Sequence, residues 1–123
     1  EYDDQNIFAK ILRREIPNDT VMDTEYTLAF RDINPAAPEH ILVIPTGFYT
    51  SYDHFAAEAT DAEVVDFTRV VGAITHALGA SPANGGGGYR LISNTGNDGG
   101  QDVPHMHLHI VAGRRLGRML QPA

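Results

Sequence analysis

Residues 105–111 read HMHLHIV, a run in which histidines occupy every second position and apolar residues lie between them. Successive side chains of a β-strand point to opposite faces of its sheet, so this alternation predicts a strand. His105, His107 and His109 are then expected on one face, and the intervening apolar residues on the other. The chain is therefore predicted to form a sheet with three imidazoles in a row on one face.

Two segments have the 3.6-residue periodicity of amphipathic helices. Residues 6–17, NIFAKILRREIP, are predicted to form a helix that Pro17 ends, with one apolar stripe made of Ile7, Phe8, Ile11 and Leu12. Residues 60–79 form the clearest predicted helix, because Thr60 and Glu63 fit a capping box and Gly79 suits the C-terminal cap. Its expected apolar stripe consists of Val64, Phe67, Val71, Ile74 and Leu78.

Short β-type runs separate these helices. Strands are predicted at residues 27–33, 41–45, 89–94 and 105–113, and glycine-rich turns precede the last two. Two helices among about five mostly short strands, without a regular βαβ alternation, indicate an α+β fold with an antiparallel sheet.

Composition limits the kinds of partner. A chain of 123 residues has the length of one domain, predicted to span residues 1–123. The net charge of −7 argues against a nucleic-acid duplex or an anionic membrane as the main partner. The absence of cysteine excludes disulfides and thiolate metal sites. No apolar run approaches the roughly 18 residues of a membrane span, and no leader pattern opens the chain, so we expect a cytoplasmic protein.

Three kinds of site could explain the alternating histidines. A metal site fits poorly, because same-face neighbours lie about 6.6 Å apart and the outer two about 13 Å apart, too far for one zinc ion. A polar sheet face with no function would not explain three histidines in strict alternation after a glycine-rich turn. Nucleophilic catalysis at phosphorus uses all three, since a middle imidazole attacks while its neighbours and glycine N–H groups bind phosphoryl oxygens. We therefore favour this third interpretation.

The motif and its flanks resemble a known family. HMHLHIV matches the histidine triad of the HIT superfamily. Four longer segments resemble its Hint branch in order and spacing: IFAKILRREIP, LAFRDINPAAPEHILVIP, GYRLISNTGNDGGQDVPHMHLHIVAGR and GRRLGRML. These segments cover well over half of the chain, whereas residues 46–87 match in pattern only.

The resemblance implies a HIT-like fold and a hydrolase that cleaves the P–N bond of purine nucleoside 5′-phosphoramidates and related adenylates. It places the nucleophile at His107, which would form a covalent nucleotidyl-histidine intermediate that water then resolves. By the same resemblance His105 and His109 flank the phosphate, and His40 is the fourth histidine of the site.

The nucleotide-binding residues also follow from the resemblance. Asp32 matches the acid that binds the ribose hydroxyls, and the apolar walls of the purine pocket match Phe8, Ile11, Ile33 and Leu42. Asn94 and Gly100 match positions around the α-phosphate. Gln101 and Asp102 complete the predicted set, with Asp102 on the side of the leaving group, where some relatives have serine.

The expected partners are a purine nucleotide substrate and a second copy of the chain, with the two sheets joined across a homodimer. No cofactor or metal is expected. The C-terminal tail is expected to influence the leaving group. Two other functions stay open: hydrolysis of dinucleoside polyphosphates, as in the Fhit-like branch, and a non-catalytic role as a nucleotide sensor or scaffold. An intact triad argues against the second, because binding alone needs no nucleophile.

Overall fold

The computed structural model describes residues 1–120, so the last three residues of the predicted domain and of its tail lie outside the described part. Five strands form one antiparallel sheet in the order β1-β2-β3-β5-β4. Their bounds are β1 Thr20–Asp23, β2 Thr27–Arg31, β3 Glu39–Pro45, β4 Tyr89–Ile92 and β5 Leu108–Ala112. The predicted α+β class with an antiparallel sheet is confirmed.

The described residues contain four α-helices rather than the two predicted. They are α1 Ile7–Leu12, α2 Tyr52–Glu58, α3 Asp61–Ala77 and α4 Gly96–Gly99, and a 3₁₀ turn covers Pro82–Asn84. The prediction missed α2 because only Phe55 of that helix is buried, and it missed α4 because a four-residue, glycine-rich turn has no apolar stripe. No helix within residues 1–120 is long and apolar enough to cross a membrane.

Helix α3 begins as predicted and buries most of the predicted stripe. The Thr60 hydroxyl accepts from the Glu63 N–H, and the Glu63 carboxylate accepts from the Thr60 N–H, which completes the capping box. The buried apolar residues are Phe67, Val70, Val71 and Ile74. Leu78 packs against the same core as predicted, whereas Val64 is more than one-third exposed because it lines an open apolar hollow beside Leu91.

The two faces of the sheet have separate cores. Helices α2 and α3 cover one face, whose buried residues include Ala29, Ile41, Val43, Met106 and Ile110. Helix α1 covers part of the other face, and its cluster consists of Phe8, Ile11, Leu28, Phe30, Leu42 and Ile44. Side chains alternate along a strand, so the α1 face of β3 also carries His40, and Leu42 pairs directly with His109 of β5.

Strand β5 begins later than predicted. It starts at Leu108, so only His109 of the three alternating histidines lies in a regular strand. The two earlier histidines leave the ladder because the His105 N–H bonds to the Val103 carbonyl and the Met106 N–H bonds to the Tyr49 carbonyl. The predicted alternation of faces nevertheless survives, since Met106 and Ile110 lie in the α3 core and His107 contacts Phe8 of α1.

Helix α1 ends in a strained residue, and the strain gives a stability prediction. Arg14 has φ of 64°, in the left-handed region, while the Glu15 N–H bonds back to the Lys10 carbonyl. This conformation costs a non-glycine residue about 1–2 kcal/mol, and the greater freedom of glycine in the unfolded chain offsets about 0.4–1 kcal/mol. We expect Arg14→Gly to raise the free energy of unfolding by about 0.5–1 kcal/mol, measured by urea denaturation.

The matched control is Lys10→Gly inside the same helix, which should lower the free energy of unfolding by about 1 kcal/mol. If Arg14→Gly were also destabilising, the strain at this helix end would be refuted.

Candidate active site

The nucleophile predicted from the sequence lies in a closely packed aromatic setting. His107 is 2% exposed, and its ring contacts the edge of Phe8 with centroids 4.9 Å apart. The centroid of the His109 ring lies 5.2 Å from that of His107. The Ser93 hydroxyl donates to the His107 carbonyl at 2.8 Å, which fixes the backbone just before β5. Neither the ring nor the backbone of His107 is free to move far.

One hydrogen bond determines which nitrogen of His107 can react. Its Nδ1 lies 2.7 Å from the His105 carbonyl oxygen, and a carbonyl can only accept, so the proton is on Nδ1. In the neutral ring Nε2 therefore keeps its lone pair. The nearest carboxylate oxygen is Oδ1 of Asp102, 3.7 Å from Nε2, and Asp102 is otherwise strongly exposed. The unprotonated Nε2 is therefore directed toward the exposed side chain of Asp102.

A second chain of hydrogen bonds gives His40 and His109 the opposite tautomer to that of His107, with the proton on Nε2. The Ala36 N–H donates to Nδ1 of His40 at 2.9 Å, so the neutral His40 ring carries its proton on Nε2. That Nε2 lies 2.9 Å from Nδ1 of His109 and donates to it. His109 therefore carries its own proton on Nε2, from which it can donate a hydrogen bond to a bound group. Asp32 approaches the same His40 Nε2 at 3.5 Å.

Burial keeps His109 neutral. Desolvation lowers the pKa of its imidazole, and the nearby His107 and His40 lower it further, while Asp32 and Asp102 act in the opposite direction. A neutral His109 can accept from His40 on Nδ1 and still hold a proton on Nε2. A protonated ring could not accept, so the lowered pKa preserves the chain of hydrogen bonds near neutral pH.

His105 has a different environment from the one expected. Its side chain is fully buried, Nε2 donates to the Pro45 carbonyl at 2.9 Å, and Nδ1 bonds to the Tyr2 hydroxyl at 2.5 Å. Burial, the largest cause, lowers its pKa to about 4, so this ring is neutral at physiological pH. Both ring nitrogens are occupied by the protein itself. In this structure neither nitrogen of the His105 ring is free for a phosphate oxygen, whereas the His105 carbonyl accepts from His107, and the predicted role beside the phosphate stays a prediction.

The predicted purine walls are only partly together. Phe8, Ile11 and Leu42 lie in the buried α1 cluster, but Ile33 is 87% exposed at the start of the β2–β3 loop. Asp32 precedes Ile33, and its Oδ1 accepts from the Asn34 N–H at 2.8 Å. Phe30 also belongs to this cluster and contacts Phe8 edge-on, yet the sequence interpretation omitted it. Its alternation with Leu28 in the predicted strand was the signal that could have included it.

The predicted phosphate-side residues lie on the loop between β4 and β5. Asn94 is half-buried just after β4, and Gly100 has φ of 75°, a conformation that favours glycine. The Gln101 amide donates to the carbonyls of Thr50 and Val103 at 2.6 and 3.0 Å. Its Oε1 accepts from the Gly96 N–H at 3.1 Å, so this side chain fixes the shape of the loop.

Three side chains of the described chain could also hold a cation. Asp32, His40 and His109 each offer one ligand atom, and these atoms lie within 4.8 Å of one another. The two imidazole nitrogens, however, face each other at 2.9 Å across a hydrogen bond. A metal would have to displace that proton and move the rings apart. These three side chains therefore fit a chain of hydrogen bonds better than a metal site.

Several residues that shape the site were not found from the sequence. Tyr2, Ser93, the Ala36 N–H and the Pro45 carbonyl each bond to one of the histidines. Two of them act through backbone groups, which carry no residue signature. The other two are brought to the histidines only by the fold.

The chain is similar to known proteins over most of its length. The model of the HIT domain family matches residues 13–116. An uncharacterized 13.2 kDa HIT-like protein of Azospirillum brasilense is 53% identical over 119 residues, covering 97% of this chain and 94% of that protein. The purine nucleoside phosphoramidase of Escherichia coli is 43% identical over 117 residues, covering 95% and 94%.

Solved structures give the same result. A histidine triad protein from Clostridium difficile has a TM-score of 0.77 and 39% identity, covering 93% of this chain and 95% of that one. The family model spans most of the chain, and the predicted triad lies at the centre of the site. From both the sequence match and the arrangement of its histidines, this chain belongs to the HIT family.

Proposed function

We propose that this protein is a Hint-type hydrolase that cleaves the P–N bond of purine nucleoside 5′-phosphoramidates and related adenylates. The observation that carries the proposal is the unprotonated Nε2 of His107, which the bond from Nδ1 to the His105 carbonyl leaves free. The 43% identical Escherichia coli relative, named a purine nucleoside phosphoramidase, supports this substrate class.

In the first step Nε2 of His107 attacks the α-phosphorus. A N–P bond forms to the histidine, the P–N bond to the amine breaks, and the leaving nitrogen takes up one proton from solvent. His109 is placed to donate a hydrogen bond to that nitrogen or to a phosphoryl oxygen, because His40 occupies its Nδ1 and the proton is on Nε2. His107 becomes positively charged, and its Nδ1–H then donates more strongly to the His105 carbonyl at 2.7 Å.

In the second step water attacks the phosphorus of the nucleotidyl-histidine. The N–P bond to His107 breaks, and the attacking water gives one proton to solvent while the His109 Nε2–H stays hydrogen-bonded to the phosphoryl group. The products are a nucleoside 5′-monophosphate and the original enzyme, in which His107 is again neutral with its proton on Nδ1. His40 keeps the His109 ring in one orientation through both steps by the 2.9 Å hydrogen bond.

The nucleoside would lie against the α1 cluster. Asp32 has its Oδ2 directed to the site, 3.5 Å from His40, and two acceptor oxygens suit the ribose hydroxyls. Phe8, Ile11 and Leu42 would contact the purine, and Ile33, exposed in this structure, would be covered by it. Burying an exposed isoleucine against a base adds hydrophobic stabilisation to binding.

The phosphate and leaving group would lie on the opposite side. Asn94, Gly100 and Gln101 belong to the loop that faces the α-phosphate in this proposal. Asp102 is 3.7 Å from Nε2 of His107 and is exposed toward the space that a departing amine would occupy. A carboxylate there would attract a cationic amine, so we place this residue on the leaving-group side.

A homodimer joined through the sheets forms part of the proposal. In the described chain β4 lies at one edge of the sheet, and Tyr89 and Leu91 of this strand are more than two-fifths exposed. An apolar hollow of about 300 Å³ lies beside it and includes Leu91, Leu108 and Val64. An unpaired strand edge next to an apolar surface favours pairing with a second copy.

The central role of His107 gives the first functional prediction. We expect His107→Ala to lower hydrolysis of adenosine 5′-phosphoramidate by about 10⁴-fold or more, because the covalent nucleophile is lost. Binding of AMP should stay within about tenfold, since the purine and ribose contacts remain. Steady-state assays should compare the phosphoramidate with diadenosine polyphosphates, which would be the better substrates of a Fhit-like enzyme.

His76→Ala is the matched control, because His76 is exposed on α3 and should leave activity unchanged. EDTA should have no effect. A His107→Ala variant with more than a tenth of wild-type activity would exclude this residue as the nucleophile. Activity that EDTA removes and zinc restores would favour a metal site instead.

Asp32 gives a prediction about the sugar. Asp32→Ala should weaken AMP binding by about 10- to 150-fold, because hydrogen bonds to a charged group contribute about 1.5–3 kcal/mol. Binding of the 2′,3′-dideoxy analogue should hardly change, since that ligand lacks the hydroxyls. Isothermal titration with both ligands measures the difference. Equal losses for the two ligands would mean that Asp32 acts on the fold or on His40, and not on the ribose.

A further inference from the structure

Tyr2 lies next to the triad, although the proposed reaction uses no residue from this part of the chain. Its hydroxyl is 2.5 Å from Nδ1 of His105, and it also contacts Nδ2 of Asn6 at 2.9 Å. The ring is stacked on Phe48, with centroids 4.7 Å apart and planes inclined by 8°. The Tyr2 side chain is therefore held in place from two sides.

The direction of each hydrogen bond follows from its partners. The Pro45 carbonyl can only accept, so His105 carries its proton on Nε2 and has a bare Nδ1. The Tyr2 hydroxyl must then donate to that Nδ1. The Asn6 amide N–H in turn donates to the Tyr2 oxygen. The result is a single ordered chain of donors from Asn6 through Tyr2 and His105 to the end of β3.

This chain of donors passes through His105, the residue whose carbonyl holds the nucleophile. His105 is held on one side by Tyr2 and on the other by Pro45, and its carbonyl accepts from Nδ1 of His107 at 2.7 Å. In the proposed reaction positive charge develops on His107. The His105 carbonyl stabilises this charge, and its position depends on how firmly the rest of His105 is held.

Helix α1 is attached to the same chain. The Asn6 side chain caps the helix, accepting from the Ala9 N–H at 2.9 Å, while its amide holds Tyr2. Phe8 of that helix contacts the edges of both His107 and His105. The segment before α1 and the helix itself therefore both contact the histidines of the triad.

We propose that Tyr2 is a positioning residue for the nucleophile: through His105 it fixes the carbonyl that holds His107 with Nε2 unprotonated. This inference rests on the proposed function for its catalytic consequence. Tyr2 itself touches neither the substrate nor the reacting atoms, and the contact with His105 is independent of what the protein hydrolyses.

The test is Tyr2→Phe, which keeps the stacked ring and removes only the hydroxyl. We expect the rate of nucleotidyl-histidine formation, measured by rapid quench, to fall about tenfold, the equivalent of about 1.4 kcal/mol and a typical loss for one hydrogen bond. The Kd for AMP should change by less than about threefold, because the nucleoside contacts are untouched. The matched control is Tyr26→Phe in the β1–β2 turn, which should change neither quantity.

A second readout does not depend on turnover. The His107 Nδ1–H should exchange with solvent about tenfold faster in Tyr2→Phe than in the wild type, measured by proton NMR at equal pH. Phe48→Leu keeps the hydroxyl but removes the stacking partner, so it should change the exchange rate in the same direction by a smaller factor. The variants are compared only where their thermal unfolding shows that they are folded.

The outcomes separate the two proposals. If the wild type hydrolyses no phosphoramidate, the proposed function fails, and the exchange of the His107 proton still decides the role of Tyr2. Unchanged exchange and unchanged nucleotidyl-histidine formation in Tyr2→Phe would overturn the inference. So would an equal loss of rate and of AMP binding, which would show that Tyr2 only stabilises the fold.

Discussion

The hydrogen bond from Nδ1 of His107 to the His105 carbonyl is the contact on which the site depends. An imidazole has two nitrogens, and only the one without a proton can attack phosphorus. The His105 carbonyl determines which nitrogen carries the proton, because a carbonyl can only accept a hydrogen bond. The other contacts around His107 serve this bond, since Ser93 holds the following peptide and Phe8 prevents the ring from turning. The fold is arranged so that Nε2 of His107 keeps its lone pair.

His105 and His109 each keep one ring orientation because burial keeps their imidazoles neutral. Desolvation lowers the pKa of both His105 and His109, the former to about 4. Neutral rings can accept on one nitrogen and donate on the other, so hydrogen bonds to Pro45, Tyr2 and His40 give each of them one orientation. A charged ring would lose its acceptor nitrogen and break the chain that holds it.

Much of the fold could be predicted from local patterns. The capping box of α3, the sheet class and the alternation of faces around HMHLHIV depend on residues close in sequence, and they are confirmed. The start of β5 and the surroundings of His105 could not be predicted, because they depend on carbonyls and hydroxyls up to 103 residues away. Backbone groups have no residue signature, so the sequence indicated which histidines matter and not which nitrogen of each is free.

The most direct test is the tautomeric state of the four histidines, read from ¹⁵N chemical shifts of the imidazole nitrogens at neutral pH. We expect His107 to be protonated on Nδ1 and bare on Nε2, and His105, His109 and His40 to be protonated on Nε2 and bare on Nδ1. A His107 ring protonated on Nε2, or a His109 ring protonated on Nδ1, would contradict the assignment of His107 as the nucleophile and of His109 as the hydrogen-bond donor beside it.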